Sequence, residues 1–457
     1  MGPLGEPRGP CFLRSECATD ALKPISGKSG SVNSNDRSIV GLVMMAHAMV
    51  HTYELSIPVL VPIWLAEFET IDLLFLQLPV NAATVGGLVA VGYGLFGLGA
   101  LPSGVLVDRI DARSLIVACL VGMGLSFVVL AVSPSALVVG VALAIWGVAA
   151  SVYHPSGLSL ISRGVEERGS AFAYHGMAGN AGIALGPLVT ILLLVVLDWR
   201  VAAGLLAVPA AIAVLFALRV DIDERAAVAT DGSGDDDGDS RAETGVESLG
   251  EFLAASKTLL ASAFVVVFGV TFFSGLYYRG ALTFLPELLR NVQALAPVEF
   301  AGRTFEPGDY LYVGLLMVGV GGQYVGGKLT DRIRLGAGIA VGYATLGVIA
   351  LLFVPAAAFG LAALLPVAAL LGFFLFFVQP FYQAAVAEYT PPGTRGLSYG
   401  FTYLGVFGVG ALGAVIAGTM LTYFAPRELF VVLALLGFGG ASLGGYLVTR
   451  APSGAGP

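Results

Sequence analysis

Gly104-Val105-Leu106-Val107-Asp108-Arg109 and, 223 residues later, Gly327-Lys328-Leu329-Thr330-Asp331-Arg332 are two copies of one element, each ending a long apolar run in a short charged turn. Other landmarks keep nearly the same spacing in the same order: Pro62 with Pro286 at 224, His154-Pro155 with Gln379-Pro380 at 225, and Arg168-Gly169 with Arg395-Gly396 at 227. Four matched landmarks in four segments mark an internal duplication.

The rest of the sequence says what is duplicated. Of 457 residues, 57% are hydrophobic and only 12% charged, and the mean hydropathy is +0.87. One water-soluble core cannot bury that much apolar surface, so lipid must serve as solvent. The apolar stretches are long and continuous, which implies helices of about 20 residues and not barrel strands. Spans are expected near 39–65, 82–107, 114–132, 136–162, 169–197 and 200–219, then near 261–289, 310–329, 336–357, 361–388, 396–424 and 428–449. The expected fold is therefore an all-α membrane protein with twelve transmembrane helices in two pseudo-symmetric six-helix bundles. A parallel repeat of this kind is a transporter architecture, with the solute site between the halves near the bilayer midplane.

The domain plan follows. Residues 1–37 read as a disordered tail, 38–219 as the first bundle, 220–257 as an acidic, solvated linker, 258–450 as the second bundle and 451–457 as a short tail. Asp235, Asp236, Asp237 and Asp239 make the linker too charged to pack. With both termini placed in the cytoplasm, the outer loops keep only Arg200, Arg290, Arg303 and Arg427, so the positive-inside asymmetry favours that orientation in the plasma membrane. The net charge of −8 argues against nucleic-acid binding; it fits either a genomic composition bias or a surface adapted to high salt. Cys11, Cys17 and Cys119 form no disulfide framework or metal spacing. No cofactor is expected, and the protein is expected to work as a monomer.

In the repeated loop element, Gly104 and Gly327 permit close backbone approach, Asp108 and Asp331 suit a helix end, and Arg109, Arg113 and Arg332 hold the loops at the surface. A gate or hinge role is expected of it. The element, with the whole of 38–450, resembles the major facilitator superfamily. That family's motif continues with a glycine and two basic residues, where this chain has Asp111, Ala112 and Arg113. The stretches His47 to Tyr53, Pro58 to Pro62, Tyr153 to Gly157, His175-Gly176 with Asn180, Gly186-Pro187 and Thr283 to Pro286 look like the fosmidomycin-resistance-type drug exporters. By that resemblance the activity is export of a small organic solute in exchange for protons.

Polar residues inside apolar spans are functional candidates, because a charge held at that depth costs several kcal/mol unless it is paired. His47, His51, Glu54 and Pro58 share one face of the first span. Glu54 is the leading candidate for the proton-coupling carboxylate, with His51 and His47 beside it; a structural carboxylate locked to a neighbour is the alternative. Arg279, with Tyr278, falls at the repeat equivalent of Glu54 and serves either as its partner or as a fixed cation for an anionic solute taken up or exchanged. His154 and its counterparts Gln379 and Gln383, together with Tyr53 and Tyr278, are expected to bind solute. Pro155 and Pro380 should interrupt their helices, and His175 and Asn180 are expected to mediate packing. His47 and His51 have the spacing of a metal pair, but no third ligand is evident in the sequence, so no metal is expected. No nucleophile with a base or phosphate-binding loop emerges, which argues against an enzyme.

Overall fold

A computed structural model describes residues 33–73, 75–107, 109–227 and 249–450. Residues 1–32 of the expected tail, most of the acidic linker and Asp108 lie outside the described residues, whereas residues 34–37, read as disordered, already belong to the first helix, where Asp36 is buried. The helices run α1 Ser34–Glu67, α2 Ala82–Val107, α3 Ala112–Ala131, α4 Ala136–Ser151 continuing as Tyr153–Gly164, α5 Arg168–Val196 and α6 Trp199–Arg219. The second set is α7 Phe264–Leu282 continuing as Leu285–Arg290, α8 Pro307–Thr330, α9 Leu335–Phe359, α10 Leu361–Tyr389, α11 Arg395–Tyr423 and α12 Pro426–Arg450. Among the described residues, eleven of these are long and apolar enough to cross a membrane. The twelfth, α8, has 24 residues but is diluted by Gly319, Gly321, Gly322, Gln323, Gly326 and Gly327. The twelve-helix, all-α expectation is met.

The duplication extends into the turns. Arg109 and Ile110 donate backbone bonds to the Leu106 carbonyl, and Arg332 and Ile333 donate the same pair to Leu329. After α1 the chain forms an antiparallel hairpin, Thr70–Leu73 with Leu76–Pro79; after α7 it forms another, Val298–Phe300 with Arg303–Phe305. Both hairpins sit in segments that the sequence pattern leaves as plain loops. The bundle thus has a face of charged turns and an opposite face of hairpins.

Proline explains where helices break. The first piece of α4 ends at Ser151, four residues before Pro155, and that of α7 at Leu282, four before Pro286. In each case the carbonyl that would accept from the proline nitrogen is the last of the piece. The expected break at Pro380 is absent, since α10 runs through it from Leu361 to Tyr389. α11 instead changes pitch, with a π-helical stretch over Leu404–Val409. A further departure is the helix Leu249–Leu260, in the second part of the expected linker; it packs on the ends of α7 and α11 and buries Leu259.

α1 is the most enclosed helix, with 72% of its apolar window buried against 39% for α6. The halves meet along α2 and α11 and along α5 and α8. Glycine makes the first seam possible: a Cβ on Gly97 would lie 1.9 Å from the Gly408 nitrogen. On the hairpin face, the Ala83 amide donates to Thr422 Oγ1 at 2.8 Å, and Arg303 donates to the Val195 carbonyl at 3.2 Å. Both bonds tie one half to the other.

Candidate functional site

A cavity of about 390 Å³ lies between the halves. Its walls come from α1 (His47, His51, Glu54), α4 (His154, Leu158), α5 (His175 to Ile183), α7 (Ser274, Tyr278), α8 (Gln323), α10 (Phe376 to Val386) and α11 (Tyr399 to Phe407). Each of these residues lies at mid-helix or nearer the charged turns. Glu54 at the inner end is 2% exposed, while Gln383 and Tyr399 are exposed. The cavity therefore opens toward the charged turns and is closed toward the hairpins.

At its inner end, Arg279 donates to Oε1 of Glu54 through Nη2, and both side chains are buried. Tyr93 completes this pair. Its ring lies 3.6 Å from the guanidinium carbon and its hydroxyl donates to the Glu54 carbonyl at 2.9 Å. Two opposite charges taken out of water contribute little net stability together, but removing one leaves the other uncompensated, at a cost of about 3–5 kcal/mol.

From Glu54 a chain of polar contacts runs along α1. His51 Nδ1 lies 2.7 Å from Oε2 of Glu54, His51 Nε2 lies 3.1 Å from His47 Nε2, and His47 Nδ1 lies 2.7 Å from the His175 carbonyl oxygen. A carbonyl only accepts, so His47 carries its proton on Nδ1. If Glu54 is ionised, His51 Nδ1 must donate as well, and the two Nε2 atoms then share whatever cation lies between them. His175 stacks on His47 with ring centroids 3.8 Å apart, and His154 meets His47 edge-on at 5.4 Å. All four histidines of the chain thus converge on this cavity.

The remaining expectations divide. Tyr278, His154, Gln379 and Gln383 line the cavity, whereas Arg279 lies behind Glu54 and is absent from its walls. Tyr53 is corrected: it faces away from the cavity, packs on Phe127 and donates to the Leu206 carbonyl at 2.8 Å. His175 and Asn180, expected to mediate packing, both reach the cavity. Tyr93 was missed, because a tyrosine in a glycine-rich apolar span carries no sign of which way it faces.

In the loop elements, Arg109, Asp331 and Arg332 are exposed. The expected close approach at the glycines is absent, since a Cβ on Gly104 or Gly327 would meet nothing within 4 Å. The splayed turns at the open end leave that space free. Arg113 does not face the second half; it donates to the Ala217 carbonyl at 2.8 Å, and Glu224 accepts from the amides of Ala112 and Arg113. The residue capping α3 is Asp111, which accepts from Ser114.

The sequence profile of the Major Facilitator Superfamily matches residues 40–414. Comparison with curated protein sequences gives no match. Among solved structures, the chain is similar to a bacterial homolog of the human lysosomal transporter Spinster, in an inward-facing and unoccupied conformation. That match has 16% identity and a TM-score of 0.63, covering 92% of this chain and 96% of the other. It is also similar to a POT family transporter in complex with a thioalcohol-conjugated peptide, at 11% identity and a TM-score of 0.68, covering 90% and 96%. A peptide transporter POT in complex with sulfate follows at 13% identity and a TM-score of 0.66, covering 91% and 94%.

Proposed function

The chain belongs to the major facilitator superfamily and is a multi-pass secondary transporter of a small-molecule solute, and from that premise we propose that it exports a small organic solute in exchange for protons. In this reading both termini are cytoplasmic, the membrane is the plasma membrane, and a single chain suffices. Two six-helix bundles rock about the cavity, and the loop elements around Gly104 and Gly327 close its cytoplasmic end. The resemblance of the first, fourth and fifth spans to fosmidomycin-resistance-type exporters supports the direction.

The observation that carries the proposal is the buried Glu54–Arg279 pair, which spans the two halves at the closed end of a cavity open to the charged turns. A carboxylate so placed changes the attraction between the halves when it takes up a proton. His51 connects it to the cavity: a proton handed from Glu54 to His51 can leave through the aqueous mouth. Its loss sets two nitrogen lone pairs against each other across 3.1 Å, so the histidine rings must turn, presenting new donors to the solute. Gln379, Gln383 and Tyr278 supply the remaining hydrogen bonds. Uptake of an organic anion is less favoured, because the anion would first have to displace Glu54 from Arg279.

The test is solute flux in proteoliposomes under an imposed pH gradient. Transport against entering protons by the parent protein, abolished in Glu54→Gln, is the expected result; undiminished proton-driven flux in that variant overturns the proposal.

A further inference from the structure

The histidine cluster has the architecture of a ligand set for a transition metal, and we infer that His47, His51 and His154 together bind a divalent ion of the borderline class, such as Zn²⁺, Co²⁺ or Ni²⁺.

Three independent features of the geometry converge on this. First, the outer nitrogens are already engaged. His47 Nδ1 donates to the His175 carbonyl at 2.7 Å, and His51 Nδ1 faces the Glu54 carboxylate at 2.7 Å. Metal-ligating histidines are held by a backbone carbonyl or a carboxylate in just this way, which fixes the tautomer and directs the other nitrogen to the ion. Second, the two inner nitrogens lie 3.1 Å apart. Two imidazoles on one tetrahedral ion with bonds of 2.0–2.1 Å have their nitrogens about 3.3 Å apart. That spacing is already present. Third, His154 brings a further nitrogen from a different helix, and the ligand atoms of all three residues lie within 4.8 Å of one another. His154 is 7% exposed, and its Nδ1 is buried without a hydrogen-bond partner. A proton shared along α1 accounts for His47 and His51 but gives His154 no part; a metal ion gathers all three residues.

The helix break at Val152 sets His154 one residue into a new helical piece, so its ring can turn to close the remaining distance. Three neutral imidazoles leave one coordination position directed into the cavity, where water or a solute donor completes the shell. All-nitrogen ligation selects borderline ions over the hard, oxygen-seeking Mg²⁺ and Ca²⁺. The inference does not depend on the direction of transport or on its driving ion.

The experiment uses the purified full-length protein without a histidine tag, stripped with chelator and titrated calorimetrically with Zn²⁺, Co²⁺ and Mg²⁺. One equivalent of Zn²⁺ or Co²⁺ per chain and no binding of Mg²⁺ are expected. His154→Asn and His47→Gln should each weaken binding by at least about a hundredfold. Gln379→Ala, which alters the same cavity outside the cluster, should leave the affinity unchanged. X-ray absorption at the zinc edge supplies a readout that a folding defect cannot imitate, with an imidazole-dominated shell expected in the parent protein. Absence of stoichiometric binding, binding unchanged in both histidine variants, or a sulfur- or oxygen-dominated shell would each overturn the inference.

Discussion

Arg279 lies 225 residues after Glu54, at the equivalent place in the second repeat, and the two side chains meet. Equivalent positions of a two-fold repeat can touch only near the axis that relates the halves, so this pair marks that axis. The duplicated ancestral position has diverged into opposite charges, and the charge difference is spent as a tie between the bundles.

Neutralising one member should therefore cost more than neutralising both. Glu54→Gln is expected to lower stability by about 3 kcal/mol, because Arg279 stays buried without its counter-charge. Glu54→Gln with Arg279→Gln should recover a large part of that loss. Thermal unfolding of the three proteins in one detergent measures it; a double variant no more stable than Glu54→Gln would refute the tie.

Tyr93 gives a finer test. Tyr93→Phe keeps the ring under the guanidinium and loses the hydroxyl bond to the Glu54 carbonyl, for an expected cost of about 1 kcal/mol. Tyr93→Leu also removes the cation–π contact and should cost about 2 kcal/mol more. Equal unfolding temperatures for the two variants would show that the ring contributes nothing.

The glycines should separate into two kinds. Gly97→Ala forces a methyl group against the Gly408 backbone and should destabilise the protein or part α2 from α11. Gly104→Ala meets open space here and should change stability by less than about 0.5 kcal/mol. If the loop glycine is needed when the charged turns close, that same variant should still lose transport. Full flux in Gly104→Ala would remove the loop from the gate.

Closure of the hairpin face can be locked. Ala83→Cys with Thr422→Cys joins backbone segments already linked by a 2.8 Å hydrogen bond. Oxidation should form the disulfide and stop transport, and reductant should restore it. Unimpaired flux in the oxidised form would show that this face need not open.

Much of this was legible in the chain because lipid imposes a simple grammar. Span lengths, the duplication and the cost of an intramembrane charge are local or periodic properties, and they led to Glu54 and Arg279. Rotation of a helix about its own axis is not local. Tyr53 and Tyr278 look alike in sequence, yet one reaches the Leu206 carbonyl and the other the cavity. His154 was visible as a polar residue at mid-span, but its convergence with His47 and His51 depends on how α4 meets α1. The proline signal was half informative: Pro155 and Pro286 end helical pieces, whereas Pro380 leaves α10 continuous.

That last difference makes the two walls of the cavity mechanically unequal. Pro155 and Pro380 each remove a helical hydrogen bond, but only at α4 is the helix itself interrupted, at Val152, and an interrupted helix bends more easily than a continuous one. α4 is therefore jointed beside His154, whereas α10 carries Gln379 and Gln383 on one continuous helix. In the proposed rocking of the bundles, deformation would concentrate on the jointed side. The glutamine wall would then keep its shape as the proposed template for a solute, and the histidine wall would yield. On that proposal, recognition and movement, which a perfectly symmetric duplicate would have to share, fall to different halves.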